Sequence, residues 1–140
     1  NLASIGGFSQ MPTQTAYIVT KHAVEAFSEC LFLEMELAKA PIHVSSIIPG
    51  MVKTRIFDAD AGAGEPGAAA KHRKVMHDMM AAYGMDLDEG CRRIVAQMAE
   101  NKFWVSTQPE MTAETLARRI DFLKNQSDPE LGAQARQLLE

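Results

Sequence analysis

Cysteine is scarce in this 140-residue chain, which carries only Cys30 and Cys91. Each stands alone within an expected helix. They read as reduced core or helix-face thiols rather than a disulfide or a metal site, which suits a cytoplasmic setting. No block of lysine and arginine occurs, and the net charge is -4 with a pI of 5.6, so nucleic acid is not an expected partner. No apolar run approaches the roughly 20 residues of a membrane span, and no segment reads as a signal peptide. What is present is a chain that is 46% hydrophobic, enough for one domain with a real core.

The chemistry-bearing pattern lies near the start. Tyr17 and Lys21 are four residues apart in Ala16-Tyr17-Ile18-Val19-Thr20-Lys21. On a helix they share one face. An ammonium beside a phenol favours phenolate, so such a tyrosine can pass a proton to or from a substrate oxygen. Ser4 stands thirteen residues before the tyrosine and can hold that oxygen. Taken alone, the pair also fits a buried tyrosine followed one turn later by an exposed lysine. Downstream comes Ile48-Pro49-Gly50-Met51-Val52-Lys53-Thr54.

The order of elements predicts an α/β fold with parallel crossovers. Residues 1–4 read as the end of a buried strand, 5–13 as a glycine-bearing loop, and 15–39 as a helix stopped by Lys39-Ala40-Pro41. That helix has apolar Val19, Ala23, Phe27, Cys30, Leu31 and Leu37, as if sandwiched on a sheet or shared with a partner. Residues 42–48 read as a strand containing His43, and 55–69 as irregular, with Gly62-Ala63-Gly64 a flexible linker. Helices are expected over 70–83, from a cap at Asp86 or Asp88 to about Glu100, and over 112–123. Between the last two, 102–107 reads as a strand ended by Pro109, and a short helix follows Asp128-Pro129. His72 and His77, five apart and without a third ligand, do not make a metal site. Arg92-Arg93 and Arg118-Arg119 read as solvated helix faces.

The Asn1-Leu2-Ala3-Ser4-Ile5-Gly6-Gly7 segment, the tyrosine–lysine helix and the Pro-Gly-x-Val-x-Thr turn together resemble the short-chain dehydrogenase/reductase family. The resemblance implies the second half of a Rossmann-type doubly wound parallel sheet. It implies that Ser4 orients the substrate oxygen and that Tyr17 is the general acid or base. Lys21 would lower the tyrosine pKa and bind the nucleotide ribose. It puts Tyr17, Lys21, Pro49, Gly50, Val52 and Thr54 around the nicotinamide of NAD or NADP. The activity implied is hydride transfer between a ketone or aldehyde and an alcohol. Residues 55–86 would form the substrate-binding region. Phe8, Met11, Met51, Phe57, Met76 and Met80 are its expected walls, suited to a small hydrophobic carbonyl or alcohol. Those methionines equally fit a helix packed on the core.

The family's glycine-rich phosphate turn, its NAD-or-NADP selecting residue and its catalytic asparagine have no counterpart among these residues. The expectation is therefore a catalytic and substrate half that needs the missing N-terminal half. Alone it would leave a sheet edge and apolar faces uncovered and would not form a well-behaved monomer. A homodimer or homotetramer is the expected assembly. Two other readings stay open: a truncated, non-catalytic scaffold, and an extended-branch epimerase or dehydratase. The short region after the Pro-Gly turn argues against the latter.

Overall fold

The structure, a computed structural model, describes residues 1–58, 64–133 and 135–136. It is an α/β arrangement built on parallel strands. A 3-10 turn, Ile5–Phe8, leads into helix α1, Thr15–Leu37. Strand β1 is Ser46–Ile48, and helices α2, Gly67–Tyr83, and α3, Leu87–Ala99, follow. Strand β2 is Trp104–Ser106, and helix α4, Pro109–Asn125, comes after it.

β1 pairs in parallel with β2, Ser46 opposite Trp104 and Ile48 opposite Ser106. On its other edge β1 forms a parallel bridge to Leu2, held by Ala3 N–H to Ile47 O at 2.9 Å and Ile47 N–H to Asn1 O at 2.9 Å. Three extended segments thus run side by side, each followed by a turn at the same end. The expected strands over 42–48 and 102–107 are shorter than anticipated. Ladder bonding begins only at Ser46 N–H to Phe103 O, and Ile42 and His43 lie exposed outside it. β-branched composition favours extended backbone, but a strand lasts only as long as its neighbour.

Helix boundaries follow local chemistry. Asp86 rather than Asp88 caps α3, its carboxylate accepting from the N–H groups of Asp88 and Glu89. Pro109 does more than end a strand. It occupies the first turn of α4, where its missing N–H costs nothing. α1 ends at Leu37, before Pro41, because Lys39 takes a left-handed φ of 51° and Ala40 N–H bonds back to Met35 O at 3.0 Å. The helix expected after Asp128-Pro129 is helical at Ala133, Ala135 and Arg136, and its remainder lies outside the described residues. Gly62 and Ala63 lie outside them too.

α1 inverts the expected burial. Its sheet-facing residues are Glu25, 4% exposed, and Ser28, fully buried, whereas Val19, Phe27 and Cys30 are exposed and Leu37 is 86% exposed. The polar inner face is satisfied by neighbours at all but Glu25 Oε1: Ser46 Oγ donates to Glu25 Oε2 at 2.6 Å, and Asn1 Nδ2 donates to Ser28 Oγ at 3.0 Å. The apolar core is small, centred on Ala3, Val44, Ile48, Val52, Met80 and Val105. The accessible surface is 9427 Å², against about 7,200 Å² from size scaling for a folded chain of this mass. Large apolar side chains left in solvent on α1, α3 and α4, among them Phe27, Leu37, Val95 and Leu123, contribute to the excess. Arg93 is not simply solvated: its guanidinium pairs with Glu89 and donates to Thr107 O at 3.0 Å, tying α3 to the end of β2.

Candidate active site

All three extended segments end at one crevice. Ser4 follows Leu2, Pro49-Gly50 follows β1, and Thr107-Gln108 follows β2. Carboxyl ends of parallel strands are where open α/β sheets hold ligands, because the chain diverges there into opposite turns.

Ser4 is 7% exposed and caps the 3-10 turn. Its Oγ accepts from Gly6 N–H at 3.1 Å and from the Tyr17 hydroxyl at 2.9 Å. Both lone pairs are thereby engaged, so the serine's own proton is free to be donated into the crevice. Tyr17 stands in the first turn of α1, and Lys21 one turn on. The Lys21 ammonium lies 5.6 Å from the centre of the Tyr17 ring and donates to Leu2 O at 3.1 Å. The three side chains singled out by spacing in the sequence are therefore brought together. The next residue on this helical face is Glu25. Burial pushes its carboxyl pKa up, partly offset by the Ser46 hydrogen bond; neighbouring Glu29 adds to the rise and His22 opposes it. Its Oε1 is buried without a partner.

Glycines allow the close approach. A Cβ on Gly6 would stand 2.9 Å from Tyr17 Cε1, and one on Gly7 would stand 2.9 Å from Glu25 Cγ. A Cβ on Gly50 would run into the Gln108 amide oxygen. Gly50 N–H donates to Thr107 Oγ1 at 3.0 Å, and Gln108 Nε2 donates to Met51 O at 3.0 Å, so the corner after β2 pins the Pro-Gly turn. Val52 bridges to Met85 in parallel. That bridge is made by Lys53 N–H to Met85 O and Met85 N–H to Met51 O, both 2.9 Å, and leaves Val52's own N–H and C=O outside it. Thr54 faces α2, its N–H 3.4 Å from Met80 Sδ.

A cavity of about 670 Å³ opens here, lined by Ser4, Tyr17, Lys21, Pro49, Gly50, Val52 and Thr54. Met11, Met51, Phe57, Met76 and Met80 also line it, as the sequence suggested. Phe8 does not: its ring packs against Trp104, centroids 5.8 Å apart, on the far side of the turn. A wider groove of about 810 Å³ lies beyond Thr54 and contains none of Ser4, Tyr17 or Lys21.

Sequence reasoning missed Gln14, His72 and Met111, which also line it. His72, Met76 and Met80 recur at helical spacing, a signal available in the sequence. Met111 carries no local signal, since Gly50 and the β2–α4 corner meet across 57 residues.

The architecture is that of a Rossmann-type α/β protein. A family model described as short chain dehydrogenase matches residues 1–63. Uncharacterized oxidoreductases of Staphylococcus aureus strains USA300 and NCTC 8325 are each 48% identical over 59 residues, covering 42% of this chain and 25% of theirs. A short-chain dehydrogenase/reductase from Burkholderia phymatum, solved in complex with NAD, superposes with a TM-score of 0.79. It shares 22% identity, over 93% of this chain and 49% of that one, a likeness of fold. Over residues 1–63 the chain is similar to the short-chain dehydrogenase family. It spans about a quarter of the length of the curated relatives it matches.

Proposed function

We propose that this chain forms the catalytic and substrate-binding part of an NAD- or NADP-dependent oxidoreductase that interconverts a small hydrophobic ketone or aldehyde with its alcohol. The observation that carries this reading is the 2.9 Å hydrogen bond between the Tyr17 and Ser4 hydroxyls at the mouth of an apolar cavity, with the Lys21 ammonium beside the phenol. A carbonyl oxygen entering between the two hydroxyls accepts from both. Ser4 holds it through the one proton its own acceptors leave free. Tyr17 Oη then delivers a proton as the oxygen becomes an alcohol, or removes one in the reverse direction. Lys21 supplies the positive charge that such a transfer needs.

The surroundings fit a nicotinamide. Pro49 and Gly50 form a wall that a side chain at position 50 would block, and Val52 keeps an N–H and C=O without a hydrogen-bond partner among the described residues, suited to a carboxamide. Thr54 and Lys21 complete the ring of polar groups around the cavity. Bound NAD or NADP would supply or accept the hydride. The apolar side chains exposed on α1, α3 and α4 further support a reading in which more polypeptide, whether of the same chain or of a second subunit, covers these faces.

The test is made on the intact protein with NADH and NADPH in turn. Tyr17→Phe should lower turnover of a hydrophobic ketone by roughly 10²–10⁴-fold while nucleotide fluorescence on binding stays near wild type. Lys21→Ala should weaken both. Near-normal turnover in Tyr17→Phe removes the proton-transfer assignment. Absence of binding to either nucleotide favours the non-catalytic scaffold.

A further inference from the structure

His72 is a histidine where an apolar pocket wall would be expected. It is 3% exposed, on the face of α2 that also presents Met76 and Met80 to the cavity. Burial holds its pKa below the ordinary histidine value, and no charged group contributes to that shift, so the ring stays neutral. Gln14 Nε2, at the residue capping α1, lies 3.3 Å from His72 Nδ1. With the Gln14 amide oriented so, its nitrogen has only hydrogens to offer, Nδ1 accepts, and a neutral ring carries its proton on Nε2. That Nε2 has no hydrogen-bond partner among the described residues. Nor is it sealed in, since the one buried, unpartnered side-chain polar atom among them is Glu25 Oε1. A neutral N–H donor is thus left open at the edge of a methionine-lined pocket.

Building on the proposed oxidoreductase reading, we infer that His72 is a specificity-determining residue whose Nε2–H recognises a second acceptor oxygen on an otherwise apolar carbonyl substrate. The substrate class narrows accordingly, from simple hydrophobic ketones to those carrying an ester, amide or further carbonyl oxygen away from the reacting carbon. A carboxylate is disfavoured at this end of the cavity, because no charged group among the described residues acts on His72. Gln14 is a positioning residue: it fixes the tautomer and couples the start of the Tyr17 helix to the substrate helix.

The experiment uses the intact protein, with a straight-chain methyl ketone and a methyl ketone of equal length ending in a methyl ester. The ester-bearing compound should be preferred in kcat/KM by about 5-fold to 10-fold, the usual worth of one neutral hydrogen bond. His72→Leu should erase that preference, lowering kcat/KM for the ester-bearing compound by about 5-fold to 10-fold more than for the plain ketone. His72→Gln, which keeps a donor, should restore part of it. Imidazole ¹⁵N spectra should show a proton on Nε2, with that resonance moving on addition of the ester but not of the plain ketone. A proton on Nδ1, or an unchanged preference in His72→Leu, overturns the inference. Should neither compound be turned over, the oxidoreductase reading fails by itself, and the inference then stands or falls on whether the Nε2 signal responds to the ester.

Discussion

Replacing Gly6 by alanine separates the geometry of the site from the stability of the fold. The new Cβ would stand 2.9 Å from Tyr17 Cε1, whereas ordinary contact begins at 3.4 Å, so the ring must retreat by about 0.5 Å. The Tyr17–Ser4 hydrogen bond, now 2.9 Å, would open to about 3.4 Å, beyond the useful range for two hydroxyls. Misplacement of a reacting group by about 1 Å costs roughly 10²-fold. Half that displacement, with one hydrogen bond weakened, predicts a fall in kcat/KM of about 10-fold. Overpacking of this kind destabilises by about 1–3 kcal/mol, which in a protein of roughly 150–250 residues is a loss of about 2–12 °C in Tm. The assay is NAD(P)H absorbance with a hydrophobic ketone, beside far-ultraviolet circular dichroism and a thermal melt. A variant that melts lower yet turns over like wild type would refute the argument, since the strain would then be absorbed somewhere other than the tyrosine. Loss of activity in a folded protein supports it.

Two further predictions concern the supports of the site. Because burial raises the Glu25 pKa, the folded state accommodates the neutral carboxyl best, and the stability it contributes is present below the ordinary 4.5 and lost as pH rises through the raised value. Glu25→Gln should therefore stabilise at neutral pH, with the gain shrinking in acid. A variant less stable than wild type at every pH in a denaturant titration would show the carboxylate to be well solvated. Gly50→Ala should push Gln108 off the Met51 carbonyl and narrow the nicotinamide wall. It should weaken nucleotide binding by roughly 10-fold. Titration of the variant with an unaltered Kd would dismiss Gly50 as part of that wall.

Local chemistry made much of this structure legible. The fixed spacing of Ser4, Tyr17 and Lys21 needs only a strand end, a turn and one helix to become a site. Asp86 announces a helix start by its own side chain. What escaped was set at a distance. The inner face of α1 could not be read from its apolar residues, because Glu25 and Ser28 are buried only by virtue of Ser46 and Asn1. Phe8 looked like a pocket wall until Trp104, nearly a hundred residues away, claimed its ring. His72 was weighed only as a metal ligand, although its place one turn before Met76 and two before Met80 put it on their face.

The bridge between Val52 and Met85 closes the neck of a long excursion that contains α2. Two hydrogen bonds hold that neck, and both use backbone groups alone. Apart from Gly84, where a Cβ would run into the Met80 carbonyl and crowd the Lys53 nitrogen, the excursion can change its sequence without disturbing the tie, and loop-closure entropy makes changes in its length inexpensive. Ser4, Tyr17 and Lys21 all lie outside it. Such an arrangement is modular: on the proposed function, a segment transplanted from a relative between positions 55 and 83 would replace the cavity walls Phe57, Met76 and Met80 while Ser4, Tyr17, Lys21 and Thr54 stay in place.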